Sequence, residues 1–201
     1  MSGRSGIFAG DNPFEITRRW LAEAAEVEPS DPNAMSLATV DNQGLPNVRI
    51  VLAKAIEDNA VVFYTNYSSQ KGREVIGAGK VALNFHWKSL RRQIRMRGIV
   101  VKEASEVSDK YYNSRDLGSR IGAWASHQSE VLGSKSDLVK AVAKAQLKHG
   151  LKPDRPPHWG GFRITPSEIE FWADGQFRLH DRFRWTRSES SADWQVCRLN
   201  P

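Results

Sequence analysis

The sequence predicts a mainly β fold with peripheral helices, an antiparallel sheet curled into a closed or split barrel. Strand-like runs rich in Val, Ile, Phe and Thr recur with only short turn segments between them, as hairpin-connected neighbours require. Helical spacing is confined to a few separated stretches, which suits helices packed around a sheet rather than a doubly wound alternation of strand and helix. No Gly-x-Gly-x-x-Gly follows a strand, and there is no Walker loop and no His-Glu-x-x-His, so a Rossmann dinucleotide site and a zinc hydrolase are set aside.

The first helix opens at Asn12-Pro13, a capping residue followed by a proline at the first helical position. Phe14, Thr17, Trp20, Leu21 and Ala24 then keep helical spacing, which gives one face to a sheet. Strand-like runs follow at Ser36 to Val40, Val48 to Lys54, Val61 to Thr65, Val81 to Trp87 and Gln93 to Val101. Turn residues Asp41-Asn42-Gln43-Gly44 and Glu57-Asp58-Asn59 separate the earlier ones. Helices are expected over Lys71 to Ala78, Ser105 to Ser114 and Ser136 to His149, the last ended by Gly150. The chain returns to strands at Phe162 to Thr165, Glu168 to Trp172, Phe177 to Thr186 and Trp194 to Leu199.

No linker or compositional break divides the 201 residues, so residues 12–201 read as one domain behind a flexible N-terminal segment over 1–11. That segment lacks the apolar stretch of a secretory signal, and no run is long enough to span a bilayer, so a cytoplasmic protein is expected. Cys197 is the only cysteine; an intramolecular disulfide and a cysteine zinc site are excluded, and its expected role is a small buried hydrophobe. His86, His127, His149, His158 and His180 show no ligand spacing, so no metal is expected. The net charge of +6 favours anionic partners. Basic residues are spread among strands and loops with acidic neighbours such as Glu103, Glu106 and Asp109, which fits separate phosphate pockets better than one nucleic-acid stripe.

Arg178-Leu179-His180-Asp181-Arg182 carries the strongest chemical signal. Taken as a strand, it turns Arg178, His180, Arg182 and Arg184 to one face and Leu179, Phe183 and Trp185 to the other. Guanidinium forks beside an imidazole provide planar donors for phosphate or phenolate oxygens and a ring that exchanges protons near neutral pH. A solvated basic face is the competing reading of these residues alone.

Other segments accompany this run in a fixed order: Arg49-Ile50-Val51-Leu52-Ala53-Lys54, Phe63-Tyr64-Thr65-Asn66, Arg92-Gln93-Ile94-Arg95, Gly122-Ala123-Trp124-Ala125-Ser126-His127-Gln128-Ser129, Trp159-Gly160-Gly161-Phe162 and Ile169-Glu170-Phe171-Trp172. Together they closely resemble the pyridoxine/pyridoxamine 5′-phosphate oxidases, flavoenzymes of vitamin B6 metabolism, from about Asn12 to Pro201. The resemblance implies an FMN-binding split barrel that works as a homodimer with FMN at the subunit interface. It would oxidise pyridoxine 5′-phosphate or pyridoxamine 5′-phosphate with O2 to pyridoxal 5′-phosphate and H2O2, releasing NH3 from the amine.

By the same resemblance the FMN contacts are the run from Arg49 through Ile50, Val51, Leu52 and Ala53 to Lys54, then Tyr64, Thr65, Gln70 and Lys71, and further along Gln93, Gln128, Ser129, Trp172 and Arg182. The substrate phosphate falls to Lys54, Tyr111, Arg115 and Ser119, and the substrate ring to Arg178 and His180, the catalytic pair. Strict alternation puts residues 49 and 54 on opposite faces, so a bulge, a strand end or a second subunit must reconcile them. Tyr111 and Arg115 stand four apart on an expected helix and therefore share a face. The chain departs from the usual pattern at Gln70, where the family has arginine, and at Asp116-Leu117, where it has Pro-Arg. No basic, tyrosine-containing lid is recognisable in Met1 to Asp11. Three other readings stay open: a split-barrel flavin oxidase on another aromatic substrate of the phenazine type, a non-catalytic FMN- or pyridoxal-phosphate-binding protein, and a nucleic-acid-binding barrel. The last lacks the aromatic-basic interleaving of a stacking platform.

Overall fold

The computed structural model describes residues 4–201. Helix α1 (Pro13–Val27) starts where its cap predicts: Asn12 Oδ1 accepts the Phe14 N–H at 2.9 Å. Its inner face buries Phe14, Ile16, Thr17, Trp20 and Ala24 against the sheet. Among the described residues there are nine strands, β1 (Ala34–Val40), β2 (Pro46–Leu52), β3 (Ala55–Ile56), β4 (Val61–Asn66), β5 (Lys80–Trp87), β6 (Arg92–Lys102), β7 (Trp159–Ala173), β8 (Asp181–Thr186) and β9 (Gln195–Leu199). The other helices are α2 (Gln70–Ala78), α3 (Ser105–Ser114), α4 (Leu117–Ala125) and α5 (Lys135–His149).

All strand pairs are antiparallel, in the order β2-β1-β5-β6-β7-β4-β3, with β8 on β7 and β9 on β8. Strand β7 is the hinge of the barrel. It lies along β6 from Phe162 to Ala173, but its first part pairs with β4 (Asn66↔Trp159 to Val61↔Ile164) and its last part with β8 (Glu168↔Thr186 to Ala173↔Asp181). The sheet therefore splits along one strand. Two predicted runs, Phe162 to Thr165 and Glu168 to Trp172, are thus a single strand. Pro166 at their junction sits at the register shift opposite Arg97/Gly98, where a missing N–H is tolerated.

One cluster forms the core, with Trp20, Phe63, Phe85, Phe162, Phe171 and Trp185 as its largest members. Phe171 meets Trp20 and Trp185 edge-on at 5.2 and 5.0 Å between ring centroids. Each such buried side chain contributes on the order of 2–3 kcal/mol. A satellite cluster of Ile121, Ala125 and Ala145 joins α4 to α5.

Several expectations are corrected. The strand predicted over Phe177 to Thr186 begins only at Asp181. Phe177 and Arg178 adopt left-handed φ of 56° and 64° in a 3-10 turn, and Leu179 is exposed rather than inward-facing. Arg115 stands just beyond α3 as its C-terminal cap, so the shared helical face with Tyr111 is not what unites them. Helix α4 is unanticipated; Asp116 caps it by accepting the Ser119 N–H at 2.7 Å. Cys197 is exposed, because β9 is an edge strand with little packed on it. Within the segment expected to be flexible, 1–11, Phe8 is buried between Trp20 and Phe183 while Ser5, Gly6, Ala9, Gly10 and Asp11 are exposed. Met1 to Gly3 lie outside the described residues. Among the described residues no helix is long and apolar enough to cross a membrane, and no cluster of His, Cys, Asp and Glu has metal-binding geometry.

Candidate active site

A cavity of about 880 Å³ opens between the end of β2, β4 and helices α2, α3 and α4, within the size range of small-molecule sites. Ile50, Val51, Leu52, Lys54, Tyr64, Thr65, Lys71, Tyr111, Arg115, Ser119 and Gln128 line it, all of them predicted site residues. The sequence reading missed Asn66, Ser114, Asp116, Gly122, Ala123, Ser126 and Trp159 as lining residues. Trp159 stood in a quoted motif, but only the pairing of β7 with β4 brings it to the cavity.

The conflict between positions 49 and 54 is resolved by a strand end. Pairing of β2 with β1 stops at Leu52, the Ala53 N–H goes to Asn33 O (2.9 Å), and the Lys54 N–H crosses to Val62 O on β4 (2.8 Å). Ala53 is buried at this crossing, while Lys54 reaches the cavity. Arg49 turns the other way. Its guanidinium donates to Leu37 O at 3.1 Å, Thr39 Oγ1 at 2.5 Å and Glu74 Oε2 at 2.9 Å.

Lys71 sits in the first turn of α2 and donates to Gln128 Oε1 at 2.7 Å and Thr65 Oγ1 at 3.3 Å, both neutral acceptors. Burial, and after it the nearby Arg49 charge, hold its ammonium below the ordinary lysine pKa, with Glu74 opposing. A cation so placed is short of negative charge, and an anionic ligand would supply it.

The opposite group is aromatic. Tyr64 stacks on Tyr111 with centroids 3.9 Å apart, Trp159 lies 5.6 Å from Tyr64, and the Arg115 guanidinium rests 4.7 Å over Trp159. The stack needs Gly161: a Cβ there would come within 2.9 Å of the Tyr64 ring. Burial first, then Glu103, Tyr111 and Glu57, push the Tyr64 hydroxyl up to about 12, so it remains a proton donor at neutral pH. Arg115 Nη1 is buried without a hydrogen-bond partner among the described residues. Such an orphan donor costs free energy unless a ligand oxygen meets it. The Ser119 N–H is already engaged by Asp116, whose carboxyl that bond holds below its ordinary pKa.

The remaining predicted residues lie elsewhere. Gln93, Trp172 and Arg182 are register neighbours in a row across β6, β7 and β8 (Gln93↔Trp172, Trp172↔Arg182). Arg182 Nε donates to Glu170 Oε1 at 2.9 Å and its Nη1 to Asn200 O at 2.9 Å. His180 packs against Trp172 with centroids 4.6 Å apart. The exposed Arg178 forms no hydrogen bond or ion pair among the described residues. Gln70 borders a smaller concavity with Asp41, Asn42, Arg73 and Glu74, and Ser129 is exposed with a left-handed φ of 74°. None of these lines the large cavity of its own chain.

Comparison with known proteins decides the family. The family model for pyridoxamine 5′-phosphate oxidase matches residues 21–149, and that for the pyridoxine 5′-phosphate oxidase C-terminal dimerisation region matches residues 159–201. The chain belongs to the pyridoxine/pyridoxamine 5′-phosphate oxidase family. A relative of that name from Roseobacter denitrificans is 60% identical over 201 residues, covering 100% of both chains. Another, from Cereibacter sphaeroides, is 61% identical over 198 residues, 98% of this chain and 99% of the relative. Among solved structures, PhzG from Burkholderia lata 383 in complex with tetrahydrophenazine-1-carboxylic acid superposes with a TM-score of 0.88 at 33% identity, covering 96% of this chain and 94% of that one. A pyridoxamine 5′-phosphate oxidase-related, FMN-binding protein from Nostoc punctiforme shares the fold at a TM-score of 0.74 and 14% identity, over 98% and 100% of the two chains. All predicted cavity-lining residues fall in the first matched region, together with Arg49, Gln70, Gln93 and Ser129 outside the cavity, whereas Trp172, Arg178, His180 and Arg182 fall in the dimerisation region.

Proposed function

We infer that this chain is an FMN-dependent oxidase that converts pyridoxine 5′-phosphate or pyridoxamine 5′-phosphate, with O2, to pyridoxal 5′-phosphate and H2O2, releasing NH3 from the amine. The carrying observation is one cavity with two cationic groups that have no carboxylate partner among the described residues, Lys71 at one helix N-terminus and Arg115 beside a tyrosine-tryptophan stack. Two phosphorylated molecules, a cofactor and a substrate, account for both. The donor chemistry fits FMN, which when bound supplies the two-electron acceptor that the reaction needs and that no side chain can provide.

Lys71, Thr65 and Gln128 would hold the FMN phosphate side, reinforced by the first amides of α2, while Arg49, paired with Glu74, would brace α2 from behind. Lys54, Tyr111 and Arg115 would take the substrate phosphate. The Ser119 hydroxyl can join them, although its N–H is spent on capping α4. Gln93, Trp172, Arg178, His180 and Arg182 complete the site from the second subunit of a homodimer. Their absence from the cavity of their own chain and the dimerisation region that carries most of them support this assignment. Arg178 and His180 would orient the substrate ring, and the closed site would exclude water from the transfer. A cytoplasmic location goes with this reading.

The superposition with PhzG favours a second reading, oxidation of a phenazine-type substrate, but 33% identity against about 60% for the B6 oxidases ranks it lower. Incubating the purified protein with FMN, each B6 phosphate and oxygen separates them. Pyridoxal 5′-phosphate and peroxide should rise together in equal amounts. A colourless protein that takes up no FMN, or a yellow one inert on both phosphates, overturns the reading.

A further inference from the structure

The turn between β7 and β8 carries a carboxylate to which neither the fold nor the proposed reaction has yet given work. Asp174 follows β7 directly, its side chain 17% exposed, and its Oδ1 lies 3.1 Å from Nδ1 of His180. Its other oxygen meets the Arg91 guanidinium. The backbone repeats this tie, since the Asp174 N–H donates to Arg91 O at 3.0 Å, with Arg91 in a left-handed turn (φ 54°) between β5 and β6. Gly175 lets the turn close this tightly: a Cβ there would meet Leu179 O at 2.1 Å. The imidazole is thus gripped on one side by Asp174 and on the other by the Trp172 ring.

The Gly175 N–H donates to Nδ1 at 3.2 Å, the hydrogen bond this nitrogen makes in the structure, while Asp174 stands at ion-pair distance without being aligned as an acceptor. One ring nitrogen cannot serve both neighbours. Without a proton Nδ1 accepts from Gly175; with one it donates to Asp174. A hydrogen bond to an ionised carboxylate is roughly twice as strong as one between neutral groups, which favours a protonated Nδ1 turned to Asp174 over the bond from Gly175. The remaining charges nearby are paired elsewhere, Arg198 with Asp181 and Arg182 with Glu170, while Arg178 is exposed.

We propose that Asp174 is a positioning residue for His180: braced by Arg91, it takes the Nδ1 proton, locks the ring against Trp172 and leaves Nε2 as the atom presented to the substrate. Nε2 has no hydrogen-bond partner among the described residues. In the neutral ring it is an acceptor, matched to a ring hydroxyl of a pyridinol substrate. This rests on the reading of His180 as a substrate contact. It adds a group that fixes which face of the imidazole does that work, as carboxylates do for histidines at other sites.

The test uses the FMN-loaded dimer labelled with 15N-histidine. At neutral pH the ring-nitrogen shifts of His180 in the wild-type protein should report the proton on Nδ1. Asp174→Ala should move it to Nε2, leave FMN content unchanged and lower kcat/KM for pyridoxine 5′-phosphate by roughly 10- to 100-fold. A wild-type ring protonated on Nε2 overturns the proposal without needing any variant to fold. So does an Asp174→Ala protein with unaltered ring shifts and unaltered kcat/KM. The functional reading fails separately: normal turnover by His180→Ala removes the substrate contact itself, whatever the ring shifts report.

Discussion

Arg178 and Arg182 are only four positions apart, yet their surroundings assign them different work. Arg182 is anchored in β8 by the buried Glu170 and by Asn200 O, whereas Arg178 projects from a turn with a left-handed backbone. Non-glycine residues held at positive φ cost free energy, and two in succession, Phe177 and Arg178, point to a backbone kept for what it presents. Truncating the two arginines should therefore fail differently. Arg178→Ala should give a yellow, FMN-loaded protein whose turnover of pyridoxine 5′-phosphate drops by roughly 10²-fold, the scale of a lost orienting contact. Arg182→Ala should mainly lose FMN, with activity partly recovered by excess cofactor. Equal FMN loss in both, measured by absorbance after gel filtration, would show that the division is wrong.

At the scale of elements, α2 is tied to β1 and β2 through one carboxylate. Glu74 is buried and accepts from Thr39 Oγ1, Asn47 Nδ2 (3.3 Å) and Arg49 Nη2 (2.9 Å). Burial alone would raise its pKa, but these bonds and one from Gln70 outweigh it and hold the carboxyl below its ordinary value of 4.5. A depressed folded pKa means stability that is fully present above the unfolded value and lost as pH falls through the folded one. Glu74→Gln should thus be less stable than wild type at neutral pH, by roughly 3 kcal/mol since Arg49 loses a buried partner. The gap should narrow below pH 4.5, which urea titrations at pH 7 and at pH 3.5 would measure. A gap independent of pH would mean that Glu74 is not the ionised anchor of α2. Gln70 stands beside Glu74, bonds to its carboxylate and contributes to this clamp.

The whole molecule leaves its site divided. One group lines the cavity; the other lies on β6, β7 and the β7–β8 turn, partly within the dimerisation region. If each cavity is completed by the other subunit, FMN binding and dimerisation must strengthen one another, because a ligand that bridges two chains binds only their complex. Diluting apo and FMN-loaded protein in sedimentation runs should show the loaded dimer persisting at concentrations where the apo form dissociates. A monomer that binds one FMN per chain would contradict the shared site.

What the sequence determined by itself was local. The cap at Asn12-Pro13, the alternation along β1, β5 and β6, the exact span of α3 and the stop at Gly150 follow from spacing and turn chemistry, which neighbouring residues decide among themselves. Residue order also carried the family resemblance, and with it the names of most site residues. Tertiary structure decided the rest. That β7 is one strand serving two partners, that β2 hands the chain to β4 at Ala53 and that Asp174 meets His180 under the grip of Arg91 all depend on contacts between distant segments. Alternation predicts which way a side chain points only while the strand lasts. At Arg178 the strand had not yet begun, and the exposed, left-handed turn there was set by closure of the β7–β8 hairpin around Gly175, which no periodicity records.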